Sequence, residues 1–257
     1  MALASVKTLK YDLHIEELGK TIKYRGLKHG EQKNILLAFE LKDESGIINV
    51  ILDSVESCTF NELDVKTTPM HLIDLIFLKM YAVTVGAKSP VVFSCGGTVK
   101  TTGENGEEKT EPCGTKLNMF IDLDKAALVY PENYTPNKTV QIDDDTVVKL
   151  KVPSFEDFRK ITETFNRDEK TLVDLADQFI WAGLEAIVDS EGVKIPSVDF
   201  TKEELFKWLD DLDPPHVAAI SEYFDNLPQL VLDHSVTCPK CGRKEEFQLK
   251  GLDAFFG

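Results

Sequence analysis

The sequence predicts an α+β protein in which helical blocks pack around an antiparallel sheet region that carries a zinc-ribbon-like four-cysteine site. Apolar residues recur with a helical period before residue 90 and again between residues 153 and 228. Between these blocks, and after residue 229, the period changes to two, which is typical of strands. Four of the five cysteines lie in the two strand-rich regions.

These changes of period divide the chain into four regions, which we expect to form one or two compact units. They are an N-terminal hairpin and helical region (1–89), a β-rich hairpin region (90–152), a helical region (153–228) and C-terminal strands with a zinc knuckle (229–257). The last region is expected to pack back on residues 90–123, because the cysteines of both regions are needed for one metal site.

The first region begins with a predicted β-hairpin formed by Leu9–Ile15 and Thr21–Leu27. Two amphipathic helices are predicted next, over Glu31–Leu41 and Ile47–Val55. A third helix is expected to start with Pro69 at its first helical position, where the missing N–H costs nothing. That helix is apolar nearly all round, so it should lie centrally.

The second region is predicted to be a long hairpin followed by a shorter one. Val91–Phe93 leads to Cys95, and Lys116–Leu123 follows Cys113. The polar, glycine-rich stretch between the two cysteines is expected to be a mobile tip. Two further strands are predicted at Val140–Ile142 and Thr146–Val152.

The third region shows three helical patterns. The first places apolar residues from Leu172 to Ala186 on one face. Thr201 and Glu204 form a predicted capping box for the second helix, and Asp213-Pro214 begins the third, which stops at Asn226-Leu227-Pro228. Strands are then predicted on both sides of the Cys238–Cys241 turn.

The charge balance excludes some classes of partner. The formal net charge is −15, and non-specific nucleic-acid binding requires a basic surface, so no nucleic-acid partner is expected. The most apolar stretch, Met70–Val85, is too short to span a bilayer, and no membrane association is expected. No export signal is recognisable near the N-terminus, and five cysteines in such a chain suit a reducing compartment.

The Cys238-Pro-Lys-Cys241-Gly turn is the strongest chemical signal in the sequence. Two cysteines at this spacing direct both thiolates at one metal ion, and the glycine permits the left-handed backbone that follows. The alternative is a redox-active pair. It is disfavoured because redox CxxC motifs lie between a strand and a helix, whereas this turn lies between two predicted strands.

A zinc ion needs four ligands, and Cys95 and Cys113 at the facing ends of one hairpin are predicted to supply the remaining two. His234 is a rival ligand because it precedes Cys238 closely along the strand. Cys58 follows an apolar helix and is interpreted as a small core residue. Since four cysteine ligands leave no open coordination position, the predicted zinc is structural rather than catalytic.

We find no catalytic motif in the sequence and therefore expect no enzymatic activity. Gly19-Lys20-Thr21 lacks the upstream glycine of a phosphate-binding loop. The Asp143-Asp144-Asp145 run lacks the glycine and glutamate of a calcium loop and is interpreted as a solvated turn. The five histidines are scattered, with no nucleophile near them in the sequence.

The order of these motifs resembles the baseplate hub proteins of T-even-type contractile-tailed bacteriophages. The resemblance is carried by Ile22-Lys23-Tyr24-Arg25, the apolar helix Ile73–Lys79, the Cys95/Cys113 hairpin and the Cys238–Cys241 turn, with the aromatic segment Asp253–Phe256 after it. It implies a non-enzymatic hub subunit or hub assembly factor that works in the host bacterial cytoplasm with other tail and baseplate hub proteins. Retention in the finished virion, oligomeric state and direct neighbours are left open.

Two questions remain open at the level of sequence. Leu252, Phe255 and Phe256 either fold back into the core or dock into a groove of a partner.

Two other classes of protein are alternatives to the hub assignment. A zinc-ribbon adaptor in transcription would need a basic face that this acidic chain lacks, and a cell-wall hydrolase would need a catalytic carboxylate pair.

Overall fold

A computed structural model describes residues 7–41, 44–102, 108–164 and 172–252 of the chain. The helices of this described part are α1 His29–Leu41, α2 Glu44–Cys58, α3 Met70–Val85, α4 Phe155–Thr164, α5 Leu172–Gly183, α6 Lys202–Asp210 and α7 Pro214–Asp225. The strands are β1 Tyr11–Ile15, β2 Lys20–Tyr24, β3 Lys88–Ser94, β4 Thr98–Thr102, β5 Glu108–Pro112, β6 Lys116–Asp122, β7 Ala127–Val129, β8 Asn137–Gln141, β9 Val147–Lys151, β10 Leu184–Asp189, β11 Gly192–Lys194, β12 Gln229–Thr237 and β13 Lys244–Lys250. The α+β class is confirmed.

The strands form small antiparallel sheets rather than one large sheet. Three are two-stranded: β1 with β2, β3 with β6, and β4 with β5. A three-stranded sheet has the order β13-β12-β7, and a four-stranded sheet has the order β11-β10-β9-β8. Because such small sheets bury little apolar surface alone, each depends on helices or on another sheet for stability.

The N-terminal hairpin and α1–α3 share the first hydrophobic core, to which Phe155 of α4 also belongs. Helix α3 lies centrally, with Leu72, Ile76 and Met80 fully buried. It begins at Met70, so the prediction that Pro69 is its first helical residue is wrong by one position. Pro69 has an extended ψ of 141° and forms a β-bridge with Ser154, and these backbone contacts hold it outside the helix.

The stretch between Cys95 and Cys113, predicted to be a mobile tip, contains paired strands that the sequence does not predict. Most of it forms the paired strands β4 and β5, in register from Thr98 opposite Pro112 to Thr102 opposite Glu108. Alternating half-buried side chains along β4 and a 2.9 Å contact between Lys100 Nζ and Glu108 Oε2 support this pairing. Residues 103–107 lie outside the described part.

A second core lies between the four-stranded sheet and α5–α7. The capping box of Thr201 and Glu204 is confirmed, and α7 starts at Pro214 after Asp213 as predicted. The helical pattern to Ala186 is wrong at its end, because α5 stops at Gly183 and Ala186 lies in β10 opposite Lys149. Helix α4 and strands β7, β10 and β11 are not predicted from the sequence.

Two smaller cores join these parts. One lies between α3, the end of β6 and strand β12, with Leu78, Ile121 and Leu230 buried in it. The other surrounds the cysteines, and Phe93 and Val236 pack against it. Within the described residues, no helix combines the length and the apolar character that crossing a membrane requires.

Candidate metal centre

The first half of the site is the tight turn between β12 and β13. The backbone N–H of Cys238 donates to Arg243 O at 2.9 Å, and the N–H of Gly242 donates to Cys238 O at 2.9 Å. Gly242 has a φ of +72°, which glycine adopts without steric cost. This local geometry explains the Cys-Pro-Lys-Cys-Gly pattern, and it leaves Cys238 fully buried with Cys241 half-buried.

The second half lies where β3 and β6 continue into β4 and β5. Backbone hydrogen bonds tie the two cysteine segments together, with Cys95 N donating to Thr115 O at 3.0 Å and Cys113 N donating to Gly97 O at 2.7 Å. Cys95 and Cys113 are both buried at this junction. The long spacing between them in the sequence therefore accommodates a β4–β5 extension of the same hairpin.

The two halves meet, and the four predicted cysteines form one cluster. Their sulfur atoms all lie within 4.8 Å of one another. Cys95 Sγ lies 3.5 Å from Cys241 Sγ, and Cys113 Sγ lies 3.7 Å from Cys238 Sγ. A tetrahedral ion with metal–sulfur bonds of about 2.3 Å requires sulfur–sulfur separations of about 3.8 Å. The donor set and its spacing thus fit a metal ion held by four thiolates.

His234 is not part of this cluster. It lies on β12 opposite Phe247 of β13, and the two rings are 5.4 Å apart. Phe247 also stacks on Phe93, with the two ring centroids 5.0 Å apart. These rings therefore form an aromatic layer beside the cysteines, between the β3–β6 ribbon and the β12–β13 ribbon. We interpret His234 as part of this packing layer and not as a metal ligand.

Hydrogen-bond donors around the sulfurs favour thiolates at two positions. The backbone N–H groups of Cys241 and Lys240 lower the pKa of Cys238 to about 6. The Thr115 hydroxyl, 3.1 Å from Cys113 Sγ, lowers the pKa of Cys113. Metal ligands must be deprotonated, so these donors prepare part of the site for a cation.

The pKa of Cys95 shifts in the opposite direction to the pKa values of Cys113 and Cys238. The Gly97 N–H donates to Cys95 Sγ at 3.3 Å, which lowers the pKa of Cys95. Burial and the hydrogen bonds with the other three cysteines act against this effect and raise the pKa to about 12. Adjacent thiolates repel one another, so the four sulfurs cannot all be deprotonated unless a cation neutralises their charge. A bound metal ion would supply that positive charge.

Gly97 and Arg243 support the cluster from outside. A Cβ atom on Gly97 would lie 2.8 Å from Cys241 Sγ and 3.3 Å from Cys95 Sγ, so a side chain there would collide with the ligands. Arg243 Nη1 donates to Gly96 O at 3.1 Å, and Arg243 Nε lies 3.0 Å from Glu245 Oε1. Arg243 therefore connects the Cys238–Cys241 turn to the segment that follows Cys95.

The remaining residues singled out in the sequence lie elsewhere. Cys58 is fully buried in the first core, as predicted, and burial raises its pKa to about 12. Leu252 packs against the first core and against the core around α3 and β12. Phe255 and Phe256 lie outside the described residues.

A polar cluster around Glu17, in which His71 is buried and Tyr130 is exposed, is not predicted from the sequence. Glu17 Oε2 lies 2.7 Å from His71 Nε2, and the hydroxyls of Tyr134 and Tyr130 donate to the same carboxylate at 2.9 Å and 3.2 Å. Burial raises the pKa of Glu17, but these hydrogen bonds outweigh it and leave the pKa below the usual value. Glu17, His71 and the two tyrosines come from three segments that are far apart along the chain, so no spacing pattern could have revealed the cluster.

Fold and site together define the class: an α+β protein in which two β-ribbons meet at a buried four-cysteine centre. The family model described as T4 bacteriophage base plate protein matches residues 7–257, and the chain belongs to that family. Comparison with curated proteins gives no significant match, and neither does comparison with solved structures.

Family membership assigns the chain a structural or assembly role in the phage baseplate. Its expected partners are accordingly other baseplate proteins, and its expected location is the virion tail. The resemblance noted in the sequence is thus confirmed at the level of the baseplate.

Proposed function

We propose that this chain is a baseplate hub subunit or hub assembly factor that acts through protein–protein contacts and catalyses no reaction. The family match over residues 7–257 supports the baseplate role, and the motif order of the sequence favours the hub. The observation that carries the structural part is the cluster of Cys95, Cys113, Cys238 and Cys241, whose sulfur atoms all lie within 4.8 Å of one another.

The proposed metal is zinc in a structural role. Tetrahedral coordination by four cysteine thiolates is typical of structural zinc sites, and such a site has no open position for substrate or water. Bound zinc would neutralise the adjacent thiolates and cross-link the β3–β6 ribbon to the β12–β13 ribbon. Iron also accepts four thiolates, so elemental analysis of the purified protein must distinguish the two metals.

The absence of catalysis is likewise part of the proposal. The acidic run at residues 143–145 is used for a turn, because Asp143 Oδ1 accepts from the backbone N–H groups of Asp145 and Thr146 at 2.9 Å and 2.7 Å. Glu17 and His71 are engaged with each other and with two tyrosines. These contacts support structural roles for the acidic and histidine residues that an enzyme would most readily use.

The test of the hub assignment is mass spectrometry of purified phage tails compared with lysate of infected cells. A hub subunit is expected in both samples, and cross-linking should place it beside central baseplate proteins. A hub assembly factor is expected in the host cytoplasm during assembly and in partly assembled hubs. Cross-links only to peripheral baseplate proteins would contradict the hub assignment and leave the baseplate role intact.

The transcription-adaptor alternative is favoured only by the Cys238–Cys241 turn. Its discriminating property is tight binding to DNA or RNA that weakens steeply as salt increases. The net charge of −15 argues against such binding. A steep salt dependence measured with purified protein would support the adaptor over the baseplate hub.

A further inference from the structure

A groove of about 1010 Å³ lies beside strands β3 and β13, and we call it the β3–β13 groove. Helices α1 and α3 form most of the rest of its wall. None of the described residues that line it is charged, although Asp, Glu, Lys and Arg make up 28% of the chain. Two of its apolar lining residues, Leu36 and Val92, are 64% and 66% exposed. Apolar surface that continues from a groove to its rim marks a place where another group binds.

The groove follows the edges of the two strands and not their faces. It is lined by the consecutive residues 89–93 of β3 and 247–249 of β13. Successive side chains of a strand point to opposite faces, so a groove that all of them line runs along the edge of the strand. The pairing strands β6 and β12 contribute no described residue to the lining. The groove therefore lies on the side of each strand that is turned away from its partner.

The backbone of β13 can accept a further strand at this edge. Among the described strands, β13 is the outermost of its sheet. At one end of it Arg243 O accepts from Cys238 N–H at 2.9 Å, and at the other end Gly251 N–H donates to Leu230 O at 2.9 Å. Odd-numbered residues of β13 therefore bond to β12, and the alternation of an antiparallel pair directs the N–H and C=O of Gln248 away from β12, at the groove. Natural proteins usually cover such an edge.

The chain turns back toward this edge directly after β13. The strand ends at Lys250, and a turn follows at Gly251 and Leu252. Gly251 has a φ of +70°, which glycine adopts without steric cost and which is typical of the tight turns between antiparallel strands. A turn at these two positions brings residues 254–256 level with residues 249–247, which are the β13 residues that line the groove.

The residues after the turn have the chemistry that the groove requires. Residues 253–257 read Asp-Ala-Phe-Phe-Gly, and two aromatic side chains suit an uncharged apolar wall. Five residues reach up to about 17 Å, which exceeds the length of the β13 segment in the lining. Leu252 packs against the same two cores as Tyr81, which lines the groove. The lining residues Phe39, Phe77 and Tyr81 already have interaction partners, which favours a cover from within the chain over a groove left for another protein.

We propose that residues 253–257 fold back along the edge of β13 and dock the rings of Phe255 and Phe256 in the β3–β13 groove. The rings cover the apolar wall, and the returning backbone pairs with the N–H and C=O of Gln248. This cover keeps an apolar strand edge from pairing with another chain. The inference concerns contacts within the chain and does not rest on the hub assignment.

Photo-cross-linking from two exposed valines tests where the segment lies. Val92 lines the groove, whereas Val198 lies in the loop before α6 and does not line it. The full chain carries benzoylphenylalanine at position 92 or 198, and mass spectrometry after digestion identifies the captured peptide. We expect position 92 to capture residues 253–257 and position 198 not to capture them. A mixture of isotopically labelled and unlabelled chains distinguishes capture within one chain from capture between two copies.

Removal of the two rings measures what they contribute. Phe255→Ala combined with Phe256→Ala should lower the midpoint of urea unfolding by roughly 1 M, because two buried aromatic side chains are lost. Phe120→Ala is the control, since Phe120 is 64% exposed on β6 and does not line the groove. The midpoint of the control should match that of the wild type.

The proposal is overturned if position 92 captures no residue of the 253–257 segment, captures that segment from a second copy, or captures it no more than position 198 does. An unchanged urea midpoint in the double variant also contradicts it. These results leave the hub assignment untouched. Cross-links only to peripheral baseplate proteins would contradict the hub assignment and leave this proposal intact.

Discussion

Cys95 Sγ and Cys241 Sγ lie 3.5 Å apart although 146 positions separate the two residues in the sequence. Cys113 and Cys238 form a similar pair at 3.7 Å across 125 positions. Each ribbon contributes two of the four sulfurs, so neither can fill a tetrahedral site alone. Metal binding and the joining of the two ribbons are therefore expected to be a single event.

Cys113→Ala should abolish stoichiometric metal binding. Three thiolates leave a zinc site incomplete, and the loss of a structural ion removes a major part of the stability of the ribbons. Elemental analysis of the purified protein should find about one zinc per wild-type chain and far less in the variant. Stoichiometric zinc in the variant would remove Cys113 from the site.

Cys58→Ala is the matched control for that experiment. Cys58 is equally buried but lies in the first core, away from the cluster. The control should keep its zinc and lose only about 1 kcal/mol of stability through the small cavity. Loss of zinc in both variants would show that the metal responds to general unfolding and not to a missing ligand.

Gly97→Ala should weaken metal binding without removing a ligand. The added Cβ would lie 2.8 Å from Cys241 Sγ, so the turn must shift and the sulfurs lose their spacing. We expect a decrease in affinity of roughly 10- to 100-fold, similar to other changes that disturb ligand orientation. Competition with a chromophoric chelator measures this effect.

Gly96→Ala provides the control for Gly97→Ala. A Cβ at position 96 has Glu245 Oε1 as its nearest neighbour, at 3.6 Å, which is ordinary van der Waals contact. Its metal affinity should therefore match that of the wild type within about threefold. Equal weakening by both substitutions would argue against a steric role for position 97.

Gly183→Ala should destabilise the second core. The new Cβ would lie 2.7 Å from Phe224 Cζ and 2.9 Å from the carbonyl oxygen of Lys151, and backbone cannot move away cheaply. We expect a loss of about 1–3 kcal/mol in the free energy of unfolding, measured by urea denaturation. Gly30→Ala, with open space around its Cβ, should be neutral or slightly stabilising because alanine favours helix. Similar losses in both variants would contradict the packing explanation.

The stability contributed by Glu31 should disappear in acid. Burial alone would raise the pKa of Glu31, but hydrogen bonds, first from Arg25 and then from Lys28 N–H and Ser57, lower it to about 2. A carboxyl whose folded pKa is lowered stabilises the protein above its unfolded pKa of about 4.5, and this contribution is lost as the pH falls towards 2. The full contribution is on the order of 3 kcal/mol.

Urea unfolding of wild type and Glu31→Gln between pH 7 and pH 2.5 measures this dependence. The difference in the free energy of unfolding should be constant above about pH 5 and shrink below it. Glu40→Gln, an exposed position on the same helix, serves as the control and should show a small difference throughout. A difference for Glu31→Gln that stays constant down to pH 2.5 would contradict the assigned contacts.

The four-cysteine cluster could be predicted because its signals are local. The Cys238–Cys241 turn has a spacing that few structures other than metal knuckles require, and a hairpin brings Cys95 and Cys113 together without any knowledge of the fold. The hairpins and the capping box at Thr201 could be predicted for the same reason, because residues close together in the sequence determine each of them.

Features that depend on distant contacts could not be predicted in this way. Strand β10 continues the apolar pattern of α5, and only the pairing with β9 decides that residues after Gly183 are extended. The β4–β5 extension has a polar sequence that resembles a loop, and cross-strand contacts determine its structure. The Glu17–His71 pair and the β3–β13 groove arise from the packing of segments that are remote in sequence.

X-ray absorption at the zinc K-edge of the purified protein tests the central claim most directly. The four-cysteine centre predicts four sulfur neighbours at about 2.3 Å from the metal. Nitrogen or oxygen neighbours at about 2.0–2.1 Å would contradict it, since the sulfurs of Cys95, Cys113, Cys238 and Cys241 would then not be the complete ligand set.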